Sequence, residues 1–255
     1  MKSFILKVAS LTCLFAFLSS NLHADTREPL KIGVVGYTDP YFIINENGSF
    51  SGLDIDILHE IFARIGTPIS ISHYPRARLN LLAENKALDG LLFSFPLDAE
   101  LLPDLRKSDV IYHIQSSIFT LKNSMPEEDN SVLDHFEGQS IAMIRGFPFA
   151  GNIQHFLSKM DLNLVNKDGQ LVKMLTLGRV DAVIAEDLSF VMQARKLNVF
   201  DKIIAAAELK SFTVKFVFID ADNKLITDFD RELQHLIKTD YIDNRITHYL
   251  SRWVN

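Results

Sequence analysis

Cysteine is almost absent from this chain: Cys13 is the only one, so no internal disulfide can form. Basic runs are missing too. The chain holds 26 Lys and Arg against 32 Asp and Glu, a net charge of −6, and this mildly acidic balance gives no footing for nucleic acid. The 11 glycines and 8 prolines are scattered. No flexible linker therefore separates a string of independent domains. After residue 18 no apolar run approaches membrane length. Seven of the eight histidines (His59, His73, His113, His135, His155, His235 and His248) follow residue 24 and lack the close pairing of zinc ligands, and no metal or cofactor is expected.

The first 24 residues have the form of an export leader. Lys2 and Lys7 precede the apolar run 8–18, and Leu22-His23-Ala24 supplies a small-residue cleavage site. The run falls short of the roughly 20 apolar residues that span a bilayer. Cys13 lies inside the run after Ser10-Leu11-Thr12, without the small residue that precedes a lipidated cysteine. Cleavage near Ala24 is expected. It removes two lysines and no acid, moving the net charge to −8.

Beyond the leader, strand-like and helix-like segments alternate, the pattern of an α/β fold with largely parallel sheets. Residues 30–35 read as a buried strand, and Asn45-Glu46-Asn47-Gly48 as a hairpin-type turn. A helix follows Gly52 with the stripe Leu58, Ile61, Phe62 and Ile65; Asp54 and Asp56 stand at its start, and Gly66 with Pro68 ends it. Strand 69–72, helix 79–85 and strand 91–95 complete a βαβαβ lobe. A further β run covers 114–121, and 123–130 is a polar loop. The order then restarts with strand 140–144, a turn at Arg145-Gly146-Phe147-Pro148, a helix carrying Ile153, Phe156 and Leu157, strand 162–165, helix 169–177, strand 180–185 and helix 188–197. A last β run, 212–219, precedes two amphipathic helices with stripes Leu225, Phe229, Leu233, Leu236 and Ile242, Ile246, Leu250. Two such lobes leave a cleft between them, a favoured ligand site.

Motifs for catalysis fail. In Gly48-Ser49-Phe50-Ser51-Gly52 a Phe stands where a nucleophile elbow needs its nucleophile. Gly33-Val34-Val35-Gly36 lacks dinucleotide-fingerprint spacing.

Four segments carry a resemblance, in order along the chain. They are Gly48-Ser49-Phe50-Ser51-Gly52-Leu53-Asp54-Ile55-Asp56-Ile57-Leu58, running on to Ile65-Gly66; 79–90, ending Ala87-Leu88-Asp89-Gly90; Phe136-Glu137-Gly138-Gln139-Ser140-Ile141-Ala142; and Gly178-Arg179-Val180-Asp181-Ala182-Val183-Ile184. Together they resemble the family 3 extracellular solute-binding proteins, which serve amino-acid and related ABC importers. The resemblance implies a two-lobed periplasmic binding protein-like fold of type II, each lobe a mixed sheet flanked by helices. Two strands crossing between the lobes are expected near 115–120 and 209–215. Lobe 1 then comprises 25–116 with 214–255, and lobe 2 comprises 117–213.

The family's binding positions fall on identifiable residues here. Its aromatics after the first strand match Tyr37, Tyr41 and Phe42, whose rings suit an apolar group or a cation. Its strand-end segment matches Ser94, Phe95 and Pro96. The arginine that grips an α-carboxylate falls on Leu101, and the preceding Thr on Asp98. That grip must come from elsewhere, because Arg106 is out of register. Arg76 and Arg78 stand at the entrance to the second helix, with Arg78 the preferred substitute. In the second lobe Arg145, Gly146 and Phe147 lie where amides at a helix start can bind an anion. The amine-recognising carboxylate falls on Glu186, with Asp187 a candidate helix cap.

These readings converge on a monomeric, non-enzymatic periplasmic protein that captures a small polar or zwitterionic solute for an ABC permease. Two alternatives stay open: a small-carboxylate dehydratase on the same scaffold, and a ligand sensor for a signalling partner.

Overall fold

Two five-stranded sheets divide the chain, and the backbone passes between them twice. The computed structural model describes residues 28–35, 39–93, 105–125, 132–146, 153–209 and 211–251.

The first lobe opens with β1 (Leu30–Val35), a β-branched run that buries Ile32 and Val34. A short hairpin, β2 (Ile43–Ile44) and β3 (Phe50–Ser51), turns through Asn45 to Gly48. The apolar face of α1 (Leu53–Ile65) buries Ile57, Leu58, Ile61 and Phe62 completely or nearly so. It stops at Gly66, whose left-handed φ of 71° lets its N–H and that of Thr67 close on the carbonyls of Ala63 and Phe62. Then come β4 (Ile69–His73), α2 (Arg76–Glu84), β5 (Gly90–Phe93), β6 (Arg106–Lys107) and β7 (Tyr112–Ile114).

The second lobe runs through β8 (Ser116–Leu121), α3 (Val132–His135), β9 (Ser140–Ile144), α4 (Ile153–Leu157), β10 (Asp161–Val165), α5 (Asp168–Thr176), β11 (Ala182–Glu186), α6 (Asp187–Lys196) and β12 (Ile203–Glu208). Its order is β10-β9-β11-β8-β12, with β9 parallel to both neighbours and β8 antiparallel to both of its own. Leu171, Val172 and Leu175 of α5 pack with Phe190 and Ala194 of α6 over Phe119 and Val183 of the sheet.

The chain returns through β13 (Phe212–Val214), which pairs antiparallel with β7, and β14 (Phe216–Phe218), which completes the first sheet in the order β4-β1-β5-β14-β6. The helices α7 (Asn223–Lys238) and α8 (Tyr241–Ser251) close on the first lobe. Phe229 of α7 meets Phe62 at 5.6 Å edge-on and Phe216 at 5.0 Å stacked. Each such ring buries roughly 1.5–3 kcal/mol of transfer free energy. Tyr249 of α8 donates to Asp56 at 2.7 Å, and Arg245 pairs with the same carboxylate.

The layout bears out two mixed α/β sheets flanked by helices. One detail differs from expectation. The first crossing lies at β7, because residues 116–121 already form a central strand of the second sheet. Gln115 sits at the junction: its amide donates to the carbonyls of Ser116, at 2.9 Å, and of Leu209 on the returning strand.

Candidate functional site

The segment after β1 approaches the second lobe, and α1 fixes it in place. The amides of Leu53 and Asp54, unpaired within their own helix, donate to the carbonyls of Pro40 at 2.9 Å and Tyr41 at 3.0 Å. Gly52 makes this possible. Its φ is 122°, and a Cβ there would lie 2.3 Å from the Tyr41 carbonyl oxygen. The Tyr41 ring stacks nearly parallel on Tyr112 of β7, with centroids 5.6 Å apart and planes at 11°. Behind it the Tyr112 hydroxyl donates to Asp54, a carboxylate with only 2% exposure.

Glu186 faces this pair from the second lobe. It ends β11 and caps α6: its carboxylate accepts the amides of Leu188 at 2.8 Å and Ser189 at 2.7 Å. The Tyr41 hydroxyl donates to Glu186 Oε1 at 2.6 Å, and both residues are 3% exposed. Burial pushes the Glu186 carboxyl up to about 7, against the pull of the hydrogen bonds from Tyr41, Leu188 and Ser189. Burial and the neighbouring carboxylates raise both Tyr41 and Tyr112, so each hydroxyl stays a donor. Asp187 is pushed up to about 6, again chiefly by burial, while the Ser117 hydroxyl donates to it at 3.1 Å.

A cavity of about 740 Å³ is lined by Ile144, Asn166, Asp168, Gln193 and Lys196 of the second lobe and by Asp39 of the first; neither Tyr41 nor Glu186 lines it. Burial raises the Asp168 carboxyl, and the charge of Asp39 adds to the effect. Its volume is that of a small-molecule site, and the side chains around it present more apolar than polar surface. Among the described residues no three His, Cys, Asp or Glu side chains are placed to hold a metal ion.

Of the residues singled out from the sequence, the structure joins Tyr41 and Glu186 directly. Phe42 packs elsewhere. It is 2% exposed in the first lobe's core, against Phe50 at 5.1 Å and His73 at 5.3 Å, so it supports the lobe. Arg78 stands exposed on α2 with its guanidinium over the Tyr74 ring at 5.8 Å. Arg145 and Gly146 form an exposed turn after β9, with the Arg145 amide on the Val165 carbonyl at 2.8 Å and Gly146 at a φ of 71°. Tyr37, Ser94, Phe95 and Phe147 lie outside the described residues, as do Pro96, Asp98 and Leu101. The cap expected at Asp187 falls one residue earlier, because the longer Glu186 side chain reaches back to the first-turn amides. Sequence reasoning missed Asp39, Tyr112 and Asp168 altogether. It noted Asp54 only as a helix-start charge; nothing local shows that a tyrosine 58 residues away buries it.

No protein-family model matches the chain. The histidine-binding periplasmic protein of Escherichia coli (strain K12) is 24% identical over 191 residues, 73% of this chain and 68% of that protein. Among solved structures, an ancestral cationic amino-acid solute-binding protein aligns with a TM-score of 0.71 at 15% identity, covering 89% of this chain and 96% of its own. An amino-acid ABC transporter substrate-binding protein from Streptococcus pneumoniae, bound to L-arginine, aligns with a TM-score of 0.66 at 14% identity, over 89% and 96%. The fold is that of the periplasmic solute-binding proteins.

Proposed function

We propose that this chain is a periplasmic solute-binding protein that closes its two lobes on a small polar or zwitterionic solute, an amino acid or a related compound, for ABC-type import. The observation that carries this reading is the meeting of Tyr41 on one lobe with Glu186 on the other in a twice-crossed chain, on a fold shared with amino-acid-binding proteins. The crossing pair β7 and β13 serves as the hinge, with 25–116 and 214–255 forming one lobe and 117–213 the other. Removal of the leader near Ala24 delivers a monomer to the periplasm, where an inner-membrane permease reads the closed form. Closure signals occupancy only because the solute binds the closed state more tightly than the open one. Tyr41, Glu186, Arg78, Arg145 and Gly146, with Tyr37, Ser94, Phe95 and Phe147, are the contacts assigned to the solute, and no reaction follows.

A thermal-shift screen of amino acids, polyamines, organic acids and small peptides tests the reading. A true ligand at 100 times its Kd stabilises the protein by about 2.7 kcal/mol. Arg78→Ala and Glu186→Ala each remove that shift. If no compound of these classes moves the melt, solute capture is wrong; if both variants respond like the parent, the site assignment is wrong.

One observation favours a second reading, a small-carboxylate dehydratase. With its carboxyl pushed up to about 7, Glu186 can hold or release a proton at neutral pH, as a general acid or base must. Turnover of a bound compound, lost in Glu186→Gln while binding persists, distinguishes it from pure capture.

A further inference from the structure

Glu186 is the carboxylate that a solute's amine is expected to meet, yet the protein already occupies it. Oε1 accepts the Tyr41 hydroxyl and the Leu188 amide, and Oε2 accepts the Ser189 amide. Two of these donors belong to the helix that Glu186 caps, so they hold in any arrangement of the lobes. The third does not. Tyr41 lies 145 residues away on the other lobe, and it reaches Glu186 only when the lobes are together.

Both ends of the contact are held firmly. Tyr41 is clamped through its carbonyl by α1 and through its ring by Tyr112, which is itself tied to Asp54. Glu186 is fixed by its cap, and the Asp187 amide that follows donates to the Gln115 carbonyl at the crossing, 3.0 Å away. Next along α6, Leu188 packs against the first lobe's core. Neither side chain can swing far from its clamp, so a receding lobe must break the 2.6 Å bond together with the Leu188 packing beside it.

We propose that the Tyr41–Glu186 hydrogen bond is an inter-lobe latch that biases the lobes toward the closed arrangement, the tyrosine hydroxyl standing in for the donor of a solute. The latch rests on the solute-binding reading only in what displaces it; its closing of the empty protein is tested without any solute. Above about pH 7, where Glu186 is ionised, a hydrogen bond to it biases closed over open by roughly ten- to a hundredfold. Because the phenol spends its one proton on Glu186, an incoming donor competes for that same oxygen.

Small-angle scattering and amide hydrogen exchange on the full-length, solute-free protein decide the matter. Tyr41→Phe keeps the ring stacked on Tyr112 and deletes only the bond. It is expected to raise the radius of gyration and to speed exchange at Leu188 and Ser189 roughly tenfold or more, since opening wets their acceptor. Glu186→Gln, with a neutral acceptor in place of a charged one, raises the radius by less; its exchange at Leu188 and Ser189 carries no weight, because the amide nitrogen of Gln cannot accept from either. Tyr249→Phe removes a buried hydroxyl whose partner, Asp56, lies within the first lobe, and leaves the radius unchanged. Tyr41→Phe identical to the parent in both readouts overturns the latch. So does equal expansion of Tyr249→Phe, which would mark the change as general loosening. A failed solute screen leaves this result standing and counts only against solute capture.

Discussion

A carboxylate that caps a helix usually faces water, where it ionises easily and gains from the helix dipole. Glu186 has the cap without the water, and burial dominates: its carboxyl titrates near 7. An unfolded Glu releases its proton near 4.3. Between these values the folded chain holds a proton that the unfolded chain has lost, so stability falls as pH rises. The contribution is fully present below the unfolded value and lost above about 7, an effect on the order of 3 kcal/mol. Asp187, pushed up to about 6, acts in the same direction. Urea denaturation of the parent at pH 5 and pH 7.5 should show the higher midpoint at pH 5, and Glu186→Gln should remove most of that difference. An equal pH dependence in both proteins would show that Glu186 is not the group responsible. The sequence made Glu186 and Tyr41 candidates singly, by position in a resemblance. Their contact was illegible, because it depends on how two lobes meet and not on any spacing within one.

Elements with a strong local signature were readable and the others were not. Strand 30–35, α1, and the stripes of α7 and α8 follow from β-branched runs and helical periodicity, and the structure has them all. β12 escaped notice because Ala205-Ala206-Ala207 has little strand propensity; its place on the edge of the sheet comes from pairing with β8. The short β6 and α3 escaped for want of length. Gly52 shows how one residue at an element boundary governs a distant site. It combines a positive φ with a backbone contact too close for any side chain, and both conditions hold the Tyr41 carbonyl on the first turn of α1. Gly52→Ala should therefore cost about 2–4 kcal/mol, well above an ordinary glycine-to-alanine change. Gly48→Ala is the comparison: that glycine has a φ of 79° but open space around it, so only the conformational strain remains, near 1 kcal/mol. Equal losses in the two variants, measured by chemical denaturation, would contradict the steric part of the argument.

At the scale of the whole molecule, fold class and the order of segments could be read, while the hinge could not be placed to the residue. Alternation of strand and helix predicts parallel units, but β7 with β13 and β8 with β12 are antiparallel partners roughly 80 to 100 residues apart, and no local pattern records such pairing. The structure puts Gln115 where both connections leave the hinge pair, its side-chain amide bridging the outgoing chain at Ser116 and the returning chain at Leu209. A brace of this kind couples the two connections so that they bend together. Removing it frees each to flex alone, which adds conformational freedom to the open state and none to the closed one. Gln115→Ala should accordingly weaken binding of a solute found by the thermal-shift screen by about three- to tenfold, in line with one net hydrogen bond. Calorimetry should show the loss with stoichiometry unchanged, and scattering of the saturated protein should still report the compact form. Undiminished affinity would mean that the strand pair alone carries the hinge; a saturated Gln115→Ala protein more expanded than the saturated parent would mean that Gln115 determines the closed geometry itself.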